Sequence, residues 1–143
     1  MPSRQLSRAF SYRLSAFDQT AHGGSARKAI EFYEQALVIE REIGDRRAEG
    51  TTLGNLGNAY AALGRAPKAV EFYEQALIIH REIGNRAGEA IASWNMGDEY
   101  RKLGELERAA TLMEVLVDFE REIGHANAET HAAILAELRK RMK

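Results

Sequence analysis

Residues 66–89 read APKAVEFYEQALIIHREIGNRAGE, and residues 26–49, one block of 40 earlier, read ARKAIEFYEQALVIEREIGDRRAE. The two stretches agree at 17 of 24 aligned positions. FYEQAL occurs at Phe32–Leu37 and Phe72–Leu77, and REIG at Arg41–Gly44, Arg81–Gly84 and Arg121–Gly124, always 40 apart. Self-similarity at such a period marks a repeat architecture, in which each unit buries its apolar face only against its neighbours. The 143 residues hold about three and a half units.

Each unit reads as two helices. Ala69, Tyr73, Ala76 and Leu77 fall at i, i+4, i+7 and i+8, one helical face, and Ala29, Tyr33, Ala36 and Leu37 repeat it one unit earlier. Leu53, Leu56, Gly57 and Tyr60 form the stripe of the other helix. Gly64 and Gly104 punctuate the paired helices, and Gly44, Gly84 and Gly124 separate the units; glycine suits the left-handed residue past a helix C-terminus. Asp45 and Asn85 then stand as N-caps, His125 is a poorer cap, and Asn127 is the substitute. Pro67 lies near a helix start, where a missing N–H costs little. Connections this short force the paired helices antiparallel.

The pattern Leu53-x-x-Leu56-Gly57-x-x-Tyr60, then Ala69-x-x-x-Tyr73 and Ala76, resembles the tetratricopeptide repeat signature. Met96-Gly97-x-x-Tyr100 followed by Ala109 repeats it, with Ser93 at the usual large first position. The period exceeds the ~34-residue family norm and is similar to an extended 40-residue subtype. That subtype carries asparagine in its first helix, as NLGNAY and WNMGDEY do here, and is found in Partner-of-Inscuteable-type scaffolds and bacterial signalling proteins. The resemblance implies an all-α, right-handed superhelical solenoid of antiparallel helix pairs. One array over 1–143 is expected: a degenerate first repeat at 10–49, repeats at 50–89 and 90–129, and a capping helix at 130–143. In that register Ser11–Gly24 is the first helix, with Ala16, Phe17 and Thr20 at the Leu-Gly-Tyr positions.

Composition narrows the function. Twenty Lys+Arg against 21 Asp+Glu leave a net charge of −1, which speaks against a nucleic-acid binder. With no cysteine there is no disulfide, thiolate zinc site or cysteine nucleophile. Apolar runs fall far short of the ~18 residues of a membrane span, so no membrane association is expected. The chain carries no phosphate-binding loop, nucleophile elbow or HExxH motif. Gly54-x-x-Gly57 reads as repeat glycines, and His125 and His131 lack convergent ligands for a metal. His80 takes the place of Glu40 one unit on and reads as solvated, as do the carboxylates around Glu42, Glu120 and Glu122. Arg4, Arg8, Arg13 and four serines near the N-terminus resemble a presequence in composition, but Ser11 onward keeps the repeat register, so a cytoplasmic location is expected.

No enzyme and no cofactor is therefore expected. The reading is a protein-interaction module that takes a peptide or partner helix in a concave groove. In the family the first helix of each unit lines that groove, which implies Thr51, Gly54, Asn55, Asn58, Ala61 and Ala62, then Ile91, Trp94, Asn95, Asp98, Arg101 and Lys102. Asn55 and Asn95 offer donor and acceptor to a peptide backbone. Arg101 and Lys102 favour an acidic partner, tempered by Asp98 and Glu99. Trp94, the single tryptophan, is either core or a hot spot. The alternative is a self-assembly element that stacks through incomplete end repeats, with Tyr12, Leu14 and Phe17 as the homodimer contacts.

Overall fold

The structure, a computed structural model, describes residues 23–142. The helix expected over residues 11–22, with Tyr12, Leu14 and Phe17, lies outside the described residues. Six helices follow in chain order: α1 (Gly23–Ile43), α2 (Arg46–Ala62), α3 (Ala66–Glu82), α4 (Arg86–Lys102), α5 (Leu106–Ile123) and α6 (Ala128–Lys140). The described residues contain no strand.

The turns form where sequence punctuation puts them. Gly44, Gly64, Gly84, Gly104 and Gly124 have φ of 74°, 73°, 71°, 82° and 68°, the left-handed region that glycine enters without a Cβ penalty. Asp45 Oδ1 accepts from the Ala48 N–H at 3.1 Å, and Asn85 Oδ1 from the Gly88 N–H at 2.9 Å. At the third junction the expected cap is absent. Asn127 precedes α6 without a side-chain cap bond, and its own N–H donates to His125 Nδ1 at 3.0 Å instead. Unit 1 departs further: Gly23 and Gly24, assigned by register to its first helix, form the first turn of α1. Gly24 is helical, not left-handed, so the residue that matches Gly64 and Gly104 does not make their turn.

Each helix packs on the next in sequence. Beyond those neighbours only the backbones of α2 and α4 come within 8 Å of each other, Cα to Cα; those of α1, α3 and α5 stay farther apart. The first helices of the units are therefore closer together than the second helices, and the array curves with α2 and α4 on its inner side. The core runs between the layers: Leu53, Leu56, Tyr73, Leu77 and Met96 in one cluster, Trp94, Met113, Leu116, Val117 and Leu135 in the next. Glycine decides how closely paired helices approach. A Cβ on Gly57 would lie 2.5 Å from the Tyr73 ring, and one on Gly97 would lie 2.7 Å from Met113 Cγ and 2.9 Å from the Ala109 carbonyl.

Candidate partner-binding face

The inner face is built from α2 and α4. On α2, Thr51 and Ala62 are exposed, and Gly54, Asn55 and Ala61 are half-buried. The space beyond Gly54 is empty where a Cβ would point. Asn58 is interior: its Oδ1 accepts the Tyr73 hydroxyl at 2.6 Å, which ties α2 to α3.

On α4, Ile91 is half-buried, Asn95 is 4% exposed, and Arg101 and Lys102 reach solvent at the C-terminal end. Asp98 and Glu99 are buried and hold these cations from below. Arg101 Nε and its terminal nitrogen donate to Asp98 Oδ1 at 3.0 and 2.8 Å, and Lys102 Nζ lies 2.7 Å from Glu99. Two buried carboxylates thus balance two half-exposed cations, and the cluster is close to neutral. Its geometry suits hydrogen bonding more than a strong positive field. Asp98, Arg101 and Lys102 come together as one group, whereas Asn55 stands on the neighbouring helix.

Trp94 takes the first of its two sequence readings. It is 1% exposed, because α6 crosses over it and His131 lies with its ring 4.7 Å away, tilted by 48°. His131 Nδ1 in turn shares a hydrogen bond with Glu120 Oε1, and both residues are buried. The solvated reading of Glu120 is corrected here, and so is that of His80, which is 6% exposed. The shared repeat position of Glu40, His80 and Glu120 points into the crevice between one unit's end and the next unit's start. Glu40 accepts from Thr52 Oγ1 at 2.9 Å there, while glycines at 50 and 88 leave room for the His80 ring. Burial, and behind it the Arg47 charge, pull the His80 imidazole below the ordinary histidine range.

Sequence reading missed a second surface. On α1, Phe32, Ile39 and Ile43 are 68%, 57% and 70% exposed, while Phe72 is half-buried and Ile79 is 4% exposed on α3. The available signal was Phe17 standing where α2 has Gly57.

The family profile described as tetratricopeptide repeat matches residues 11–82 and again 50–119. A 37-residue stretch is 54% identical to G-protein-signaling modulator 1 of Homo sapiens and 51% identical to the proteins of that name in Mus musculus and Rattus norvegicus. That stretch is 26% of this chain, and the match spans only 6% of the length of these relatives. Among the described residues no helix is long and apolar enough to cross a membrane. The 40-residue period, left-handed glycines at the turns and paired helices curving around an inner layer agree with the profile match, and the chain belongs to the tetratricopeptide repeat family.

Proposed function

We propose that this chain is a non-catalytic interaction module that holds a peptide or partner helix along its inner face. The observation that carries this reading is the close backbone approach of α2 to α4 and the wider spacing of α1, α3 and α5, which supports a concave inner side. Proteins with these repeats generally bind other proteins. The constant 40-residue spacing and the short stretch shared with G-protein-signaling modulator 1 support assignment to the extended subtype. We assign the repeats to 50–89 and 90–129, with α6 as cap.

Asn55 presents a donor and an acceptor beside the open space over Gly54, which suits the backbone of an extended or helical segment. Arg101 and Lys102 present donors on the same side, held by Asp98 and Glu99, and suit carboxylate-bearing residues of an acidic partner. Asn95 is buried on α4 at the repeat position that matches Asn55. Trp94, Asn58 and Asp98 support this face from beneath.

The test is capture of a partner on immobilised protein, identification by mass spectrometry, and calorimetric titration with the purified partner. Asn55→Ala, Asn95→Ala and Arg101→Glu variants that keep their circular dichroism spectrum are compared with the native chain. Weakening of about 5–10-fold for Asn55→Ala and for Arg101→Glu is expected, on the scale of a hydrogen bond to a charged or amide group. Unchanged affinity in all three variants overturns the assignment of this face.

A further inference from the structure

A groove of about 510 Å³ lies between the outer helices α3 and α5, where α4 contributes Met96 and Tyr100 and α5 contributes Leu112. The repeat shows what the same place holds one unit earlier. There Phe72 stacks on Tyr60, with ring centres 5.4 Å apart and planes 8° from parallel. Lys68 stands by both rings, its ammonium 6.0 Å from the centre of Tyr60 and 5.5 Å from that of Phe72. With these neighbours Tyr60 is only 9% exposed.

Forty residues on, the tyrosine and the cation are kept and the stacking ring is lost. Tyr100 stands for Tyr60 and Arg108 for Lys68, with the guanidinium carbon 5.1 Å from the ring centre, but Leu112 stands for Phe72. Leucine has no flat face to lay on the phenol ring. Tyr100 is accordingly half-buried, and among the described residues no aromatic ring stacks on it. Aromatic pairs gain more than the area they cover, so the open place favours a ring over an aliphatic side chain. The rim adds a charge. Glu74 and Glu107 are exposed and pair with no cation among the described residues, whereas Arg108 is held by Glu105 at 3.2 Å. Three carboxylates thus surround one guanidinium. One unit earlier, Arg65 and Pro67 take the places of Glu105 and Glu107. The unit that loses the ring is therefore also the one that gains the acidic rim.

We propose that this groove receives an aromatic side chain of a partner protein, flanked in that partner by lysine or arginine. The ring lies on Tyr100 as Phe72 lies on Tyr60, between Met96 and Leu112. The flanking cations meet Glu74 and Glu107, where charge complementarity sets both the partner and its direction of approach. Such a segment is opposite in charge to the acidic one suited to the inner face, and it lies on the outer side of the array. The residues of the inner face take no part, so failure of either reading leaves the other standing.

The probe is the acetylated, amidated peptide Lys-Lys-Phe-Lys-Lys, titrated into the full chain and followed by two-dimensional NMR. Saturable shifts are expected at the Tyr100 ring and the Leu112 methyl groups, and none at Asn55 or Arg101. Replacing the phenylalanine of the peptide by alanine is expected to weaken binding about tenfold. Replacing its lysines by glutamates is expected to abolish binding. Leu112→Phe supplies the ring that Phe72 gives the earlier unit, and is expected to block the peptide without lowering the melting temperature. The Glu74→Gln/Glu107→Gln double variant leaves the groove's apolar walls intact and is expected to bind about fivefold more weakly at low salt. No saturable shift at Tyr100 up to about 5 mM peptide overturns the proposal. Equal binding of the glutamate-flanked peptide, or undiminished binding by both variants, overturns it as well.

Discussion

The hexapeptide FYEQAL occupies α1 and α3 of one molecule and meets two environments. In α3, Tyr73 is 1% exposed, bonded to Asn58 and wedged over Gly57, and Phe72 is stacked on Tyr60. In α1, Tyr33 is half-buried and Phe32 is 68% exposed, their rings meeting edge to face at 6.0 Å. Local sequence is the same, and both copies are helical. In α3 the environment is made by Gly57 and Asn58 of α2, 15 or 16 residues upstream; the sequence of the earlier unit has Phe17 and Asp18 at those positions. In a repeat protein the worth of a side chain is set mostly by the neighbouring helix, as expected when units contribute through their interfaces.

The largest test of that statement is to truncate the same residue twice. Tyr73→Ala is expected to cost about 3–5 kcal/mol, the range for removing a fully buried aromatic ring, while Tyr33→Ala, at a half-buried ring, is expected to cost about 1–2 kcal/mol. Urea denaturation followed by circular dichroism measures both. Similar losses would mean that unit 1 is as complete as unit 2 in solution.

A smaller effect separates two glycines three residues apart on α2. Gly57→Ala forces the Tyr73 ring to move and is expected to lose about 1–3 kcal/mol by overpacking. Gly54→Ala points into open space and is expected to gain about 0.5–1 kcal/mol from helix propensity. Thermal melts of the two variants should move in opposite directions. A stabilised Gly57→Ala would break the argument that Gly57 is what admits the ring.

The smallest effect concerns the junction residue that differs between the units, Glu40 in one and His80 in the other. Because burial holds the folded imidazole below its unfolded value, protonation favours the unfolded chain. The stability that neutral His80 contributes is fully present above an unfolded value of about 6.5 and is lost as pH falls through the lower folded one. The melting temperature is expected to drop between pH 7.5 and 5.5, and the drop is expected to be smaller in His80→Gln. An identical pH profile for both chains would remove His80 as the cause.

Periodicity and punctuation made most of the fold legible. REIG marked each unit's end, the glycines marked the turns, and Asp45 and Asn85 marked two helix starts. Residue type alone did not place side chains at the junctions. His80 and Glu120 are polar and sit among charged neighbours in sequence, yet they turn inward because the next helix crosses there, and only the packing shows that crossing. Trp94 likewise could be resolved only once α6 was seen to cover it. For the inner face, the sequence supplied residue numbers by register, but Asn58 and Asp98 are committed to Tyr73 and Arg101, commitments that arise between helices and across a helical turn. The exposure of Phe32 on α1 has no signal in FYEQAL itself, which is identical to the hexapeptide of α3.

The arginines and glutamates of the junctions repeat with the backbone. Arg41 meets Glu49, Arg81 meets Glu89 and Arg121 meets Glu129, while Arg46 meets Glu82 and Arg86 meets Glu122. Pairs with at least one exposed partner each add about 1 kcal/mol or less, but the offset is constant within each set, 8 residues in the first three and 36 in the last two. A block of 40 residues copied in tandem, from Arg46 to Asn85, therefore arrives with an acceptor, Glu49, for the joint behind it and a donor, Arg81, for the joint ahead. The gene can lengthen by whole units without inventing a new contact, much as a chain accepts another link of the same gauge.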